Sequence, residues 1–148
     1  MGMIADSMVD ERVNSLPKPD GISHIIEKKL DDRDLQARIS AVIVLGNSRD
    51  PRAVKSLIDC CRDRNPEIRL HAIEGLQNLR SGRSVEVLIE RLMDKRELYE
   101  IRKRSVVALA TIRSYGAIQE LKNRVVDPNE GGALRSFIAS ELDRVQLW

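Results

Sequence analysis

Four arginines recur along this chain at a nearly constant step: Arg38, Arg69, Arg102 and Arg135 are separated by 31, 33 and 33 residues. Each follows an apolar residue (Ala37, Ile68, Ile101, Leu134), and an acid lies six or eight residues ahead of each, at Asp32, Asp63, Asp94 and Asp127. A guanidinium beside a carboxylate makes charge-assisted, two-pronged hydrogen bonds. Facing solvent, such a row would be a ladder for phosphates. Facing inward, it would brace one segment against the next, with the acids accepting from the arginines or capping the following helices. The other reactive residue types are few. The two histidines, His24 and His71, lie far apart, and each is followed by an apolar residue. Cys60 and Cys61 are adjacent in a helical run, a placement unlike a disulfide framework.

The arginines mark a repeating element. Arg69 has Ala72 three residues on and Leu76 seven on; Arg38 has Ala41 and Leu45, Arg102 has Ser105 and Leu109, and Arg135 has Ile138 and Leu142. A second run follows each of the first three. Its apolar positions are Val54, Leu57 and Cys61, then Val85, Leu88 and Leu92, then Ile118, Leu121 and Val125, and each run reaches one of the acids two residues later. Ile22, Ile26, Leu30 and Asp32 fit the end of the same template. Self-similarity at a period of about 20 to 50 residues is the signature of a solenoid. At the position of Leu92 and Val125, Cys61 is expected to be a small core hydrophobe. Cys60 aligns with Arg91 and Arg124, which leaves its environment open.

Helix signals place the elements. The spacing predicts helices from Asp20 to about Leu30, Asp34 to Gly46, Arg52 to Arg62, Glu67 to Leu79, Val85 to Met93, Tyr99 to Ser114, Ala117 to Val126, and from the Gly131-Gly132 pair to about Val145. Asp50-Pro51 and Asn65-Pro66 each read as an N-cap followed by proline at the first helical position. Ser84 reads as a cap, and Gly46 as the close of its helix. This gives an all-α solenoid of about eight helices in three full pairs with half-repeats at both ends. Residues 1–19 are expected to be a flexible tail or short strap, whose Met3, Ile4, Met8 and Val9 could lie against the first helix, and residues 20–148 the solenoid. Leu147-Trp148 are expected either to fold back over the last helix or to leave its open side to another molecule.

The pattern Ile-Arg-x-x-Ala-x-x-x-Leu, a short break, a Leu-rich helix and an Asp resembles the HEAT-like repeats of the phycobilisome-lyase type, from Gly21 to about Val145. The resemblance implies a right-handed α-α superhelix and assigns the arginine row to bracing between repeats. Proteins of this kind include bilin lyase subunits, a hydroxylase, DNA-repair glycosylases and scaffolds. The hydroxylase holds metal through paired His-Glu motifs. Neither histidine here has a neighbouring Glu, so no metal or cofactor site is expected.

In such stacks the second helices line the concave face. Their solvent side carries Arg52, Lys55, Asp59 and Arg62, then Arg83, Glu86, Glu90 and Met93, then Gln119, Asn123 and Val126. The expected function is a non-catalytic scaffold that binds a protein or peptide along this face through Arg52, Lys55, Asp59, Arg62, Arg83, Glu86, Glu90 and Asn123. Its mixed signs suit a protein, because Glu86 and Glu90 would repel a phosphate backbone. A nucleic-acid binder is the first alternative, since arginine outnumbers lysine 18 to 7. A bilin-lyase-type auxiliary subunit is the second, and it rests on the resemblance alone.

Composition narrows the remainder. Aromatics make up 3% of the chain, too few for base-stacking platforms. A formal net charge of +2 creates no strong overall field toward polyanions or anionic lipid. No apolar run approaches the ~20 residues of a membrane span, and the first residues lack a basic-then-apolar signal pattern. With two cysteines and no disulfide framework, a cytoplasmic setting is expected.

Overall fold

The computed structural model describes residues 19–145, in which eight α-helices and no strand occur. They are α1 (Pro19–His24), α2 (Leu35–Asn47), α3 (Val54–Cys60), α4 (Pro66–Leu79), α5 (Val85–Met93), α6 (Tyr99–Ile112), α7 (Tyr115–Val125) and α8 (Gly132–Arg144). The expectations for residues 1–18, and for Leu147 and Trp148, lie outside the described residues.

Local signals set most boundaries. The Asp34 carboxylate accepts from the Gln36 N–H and starts α2. Asn65 accepts from the N–H groups of Glu67 and Ile68, with Pro66 supplying the first residue of α4. Asp50 caps Arg52 N–H as its sequence implies, but a 3-10 turn (Pro51–Ala53) intervenes before α3. A second 3-10 turn (Gly82–Ser84) precedes α5, so Ser81 rather than Ser84 makes the cap. Ser81 accepts from Arg83 N–H, while the Ser84 hydroxyl donates back to the Ser81 carbonyl at 2.6 Å. The first helix opens at Pro19, one residue before the expected cap, and continues past His24 as a π-helical turn (Ile25–Lys29).

The helices form two layers. In one, α2 packs on α4, α4 on α6 and α6 on α8; on it lie the second helices, α3 against α4, α5 against α6 and α7 against α8. The π turn after α1 covers α2 in the same manner. One apolar core runs through all of this. Leu45, Leu57, Leu76, Leu88, Leu109 and Leu121 are fully buried, and these are the leucines picked out by the repeat. Cys61 is likewise buried, while Cys60 is half-buried. Neither layer buries its apolar side alone, so stacking supplies the core.

Gly46 does not end its helix. It is buried within α2, facing Gly75 of α4 so closely that a Cβ added to Gly75 would sit 2.6 Å from the Gly46 Cα. Asn78 Nδ2 donates to the Gly46 carbonyl at 3.2 Å across the same contact. Here glycine supplies close approach of two backbones rather than a turn. The reversal itself is made by arginine. Arg49, Arg80 and Arg113, each 11 residues after a brace arginine, take φ of 54°, 51° and 59°, and they are the only non-glycine residues with positive φ among the described residues.

Candidate functional site

The arginine row binds carbonyls and acids, though not the expected carboxylates. Arg69 Nη1 donates to the carbonyls of Asp63 and Arg64 at 2.9 and 3.0 Å, in the turn after the preceding helix. Its Nε and Nη2 clasp both oxygens of Glu97, 28 residues on, at 2.8 and 2.7 Å. Arg91 Nη1 adds a third contact to Glu97 at 2.9 Å. One unit later Arg102 Nε reaches the Leu92 carbonyl at 2.7 Å and its Nη2 reaches Glu130, again 28 residues on, at 2.6 Å. Arg69 therefore ties the turn before its own helix, and Arg102 the last turn of α5, to the turn before the next first helix.

The acids named by the repeat do something else. Asp32, Asp63, Asp94 and Asp127 each accept a backbone N–H two residues on, from Asp34, Asn65, Arg96 and Asn129. They shape the turns that present the brace. Arg38 makes only the backbone half of the pattern, donating from Nη1 to the Asp32 carbonyl at 3.0 Å. The position 28 residues after it is Pro66, not an acid. Arg135 Nε is buried with no hydrogen-bond partner among the described residues.

Glu97 and Glu130 are buried. Burial alone raises a carboxyl pKa, but the bonds from Arg69, the Leu98 N–H and Arg91 outweigh it and hold Glu97 below its ordinary value. Arg102 and the Gly131 N–H do the same for Glu130 against its burial. The two acids recur as Asp94-x-x-Glu97 and Asp127-x-x-Glu130, a spacing that marks the brace in the sequence.

All eight residues assigned to the second-helix face are solvent-exposed. Lys55 and Asp59 lie on α3, Glu86 and Glu90 on α5, and Asn123 on α7; Arg52 and Arg83 sit on the 3-10 turns that lead into α3 and α5. Arg62 follows α3 and forms a two-pronged ion pair with Glu90, with Nε and Nη2 to Oε2 at 3.0 and 2.8 Å, and so bridges α3 to α5. Each partner shifts the other further into its charged form, the shared hydrogen bond being the main cause. Arg52 turns back onto its own Asp50, with Nη2 to Oδ2 at 2.6 Å. The side chains of Lys55, Glu86 and Asn123 have no hydrogen-bond or ion-pair partner among the described residues, and Met93 and Val126 add exposed apolar area at 45% and 73%.

The reactive residue types are held quietly. Burial, reinforced by Asp63, Asp59 and Asp31, pushes the Cys60 thiol up to about 12, and burial drives Cys61 higher still. His71 Nδ1 lies 3.2 Å from Glu74 Oε1. Among the described residues no group of His, Cys, Asp and Glu is placed to hold a metal ion, and no helix is long and apolar enough to cross a membrane.

Antiparallel helix pairs stacked with nearest-neighbour braces define an α-solenoid. A family model described as HEAT repeats matches residues 22–99, more than half of the chain. The chain belongs to the HEAT-repeat family. No curated protein matches it.

Proposed function

We propose that this protein is a scaffold of the phycobilisome-lyase-like HEAT type, and that it binds a protein or peptide along the exposed face of α3, α5 and α7. The observation that carries this is the continuity of that face. The Arg62–Glu90 pair joins two successive second helices, and Lys55, Glu86 and Asn123 remain beside it for a partner. Both signs are represented, with exposed Met93 and Val126 alongside, and such a mixture suits a protein surface. Charges of this kind act mainly on association rate and partner choice. HEAT repeats are commonly protein-interaction scaffolds, which supports the same assignment.

The test is affinity capture from source lysate after nuclease treatment, with the wild type and Glu86→Lys/Glu90→Lys compared by mass spectrometry. Glu90 and Arg62 form an exposed pair, worth no more than ~1 kcal/mol. The double variant should therefore melt within a few degrees of the wild type while losing the captured protein. An identical set of captured proteins would contradict the proposal.

A further inference from the structure

The two edges of the stack differ in charge. The turns that close each helix pair, residues 47–53, 79–84 and 112–116, contain five arginines and one acid. The turns that link one pair to the next, residues 30–35, 61–66, 93–98 and 126–132, contain eight acids and five bases. Helix dipoles do not call for this asymmetry, because each edge carries both N- and C-termini of helices.

On the basic edge, three arginines also adopt a backbone conformation for which arginine is a poor choice. At a helix end with left-handed φ, glycine or asparagine is the usual solution. In three successive repeats this position is occupied instead by Arg49, Arg80 and Arg113. Their side chains, with that of Arg83, are exposed and have no carboxylate or other side-chain partner among the described residues. No described residue uses their charge. Two further features share the edge. Tyr115, two residues after Arg113, is 82% exposed, the largest exposure among the big apolar side chains of the described residues. A shallow polar cleft lies between Arg80, Thr111, Arg113 and Arg144.

We propose that this edge binds a single-stranded nucleic acid by its phosphate backbone, with Tyr115 stacked on one base. The chemistry fits at three points. Guanidinium forks match phosphate geometry. The rows repeat at the spacing of stacked helices, about 8–10 Å, so successive arginines reach successive stretches of one extended strand. An exposed aromatic beside an arginine is the element that single-strand binders use, and it tolerates any base sequence. An acidic peptide would account for the arginines and leave Tyr115 without a role. The surface adjoins the α3–α5–α7 face at Arg83, which belongs to both, but the residues that test each differ, Arg80, Arg113 and Tyr115 here and Glu86 and Glu90 there, so the two proposals stand or fall separately.

The experiment is fluorescence anisotropy with labelled 15-nucleotide oligo-dT and oligo-U at several salt concentrations, beside a duplex of the same length and a 15-residue poly-Glu peptide. Four phosphate contacts predict a slope of log K against log salt of roughly −3. Arg80→Gly/Arg113→Gly should weaken binding and make the slope shallower by about 1.4. Because glycine suits the left-handed turn, the same variant should melt no lower than the wild type, which separates lost binding from lost folding. Tyr115→Ala should weaken binding about tenfold, and Arg96→Gln, on the other edge, should leave it unchanged. Absence of oligonucleotide binding at low salt, binding indifferent to the double glycine variant, preference for poly-Glu, or duplex binding as tight as the single strand with no effect of Tyr115→Ala would each overturn the proposal.

Discussion

Glu97 shows how one side chain can govern a repeat junction. With its carboxylate held by Arg69, Arg91 and the Leu98 N–H, it is buried in its charged form, and its removal leaves two guanidiniums facing a vacant pocket. Breaking such a buried pair costs about 3–5 kcal/mol, so Glu97→Ala should lower the unfolding free energy by that amount, read as a shifted denaturant midpoint at unchanged slope. Glu97 and Glu130 also set an acid limit. Their folded pKa values lie below the ordinary 4.5. Their contribution is therefore fully present above that pH and is lost as pH falls through the lowered values. Melting temperatures measured from pH 7 downward should hold until about 4.5 and then drop, and the drop should be smaller in Glu97→Gln. The thiols give a second prediction at this scale. With Cys60 pushed up to about 12 and Cys61 beyond it, the native protein should react with iodoacetamide at pH 8 far more slowly than the unfolded chain.

At the scale of elements, the α2–α4 contact depends on two glycines whose sequence signal points elsewhere. Gly46 stands at the end of a helical run, where glycine ordinarily marks a stop, and only its neighbour across the interface explains it. Gly75→Ala would push a methyl group into the α2 backbone, which cannot yield as a side chain does. A loss of about 1–3 kcal/mol is expected from thermal or urea melts, and a variant as stable as the wild type would mean that the helices do not approach so closely. Much else at this scale was legible. The caps at Asp50 and Asn65, the buried leucines seven residues after each arginine, and the burial of Cys61 all follow from the repeat. The missed features are those decided between elements. The brace acids lie 28 residues from their arginines, the Arg62–Glu90 pair depends on how α3 and α5 sit side by side, and arginine is not a residue type that announces a left-handed turn. The second-helix face was legible as an exposed surface, because side chains one turn apart share a side, but its internal pairing was not.

For the whole molecule, nearest-neighbour stacking makes stability a shared property. Leu76 is fully buried in α4, which packs against α2, α3 and α6. Leu76→Ala should cost about 2–5 kcal/mol, and because the repeats are coupled in series the loss should appear at α2 and α6 as well as α4. Hydrogen exchange resolved by peptide would show faster exchange across all three helices; a change confined to α4 would mean that the repeats are not coupled. The same linear organisation leaves the second helices free to present one continuous surface, which is the basis of the scaffold proposal. Its most direct test is hydrogen–deuterium exchange on the complex with the captured protein. Binding along the face of α3, α5 and α7 predicts slowed exchange in residues 54–62, 85–93 and 115–126, with little change in 66–79. Protection confined to the α2, α4 and α6 layer would contradict it.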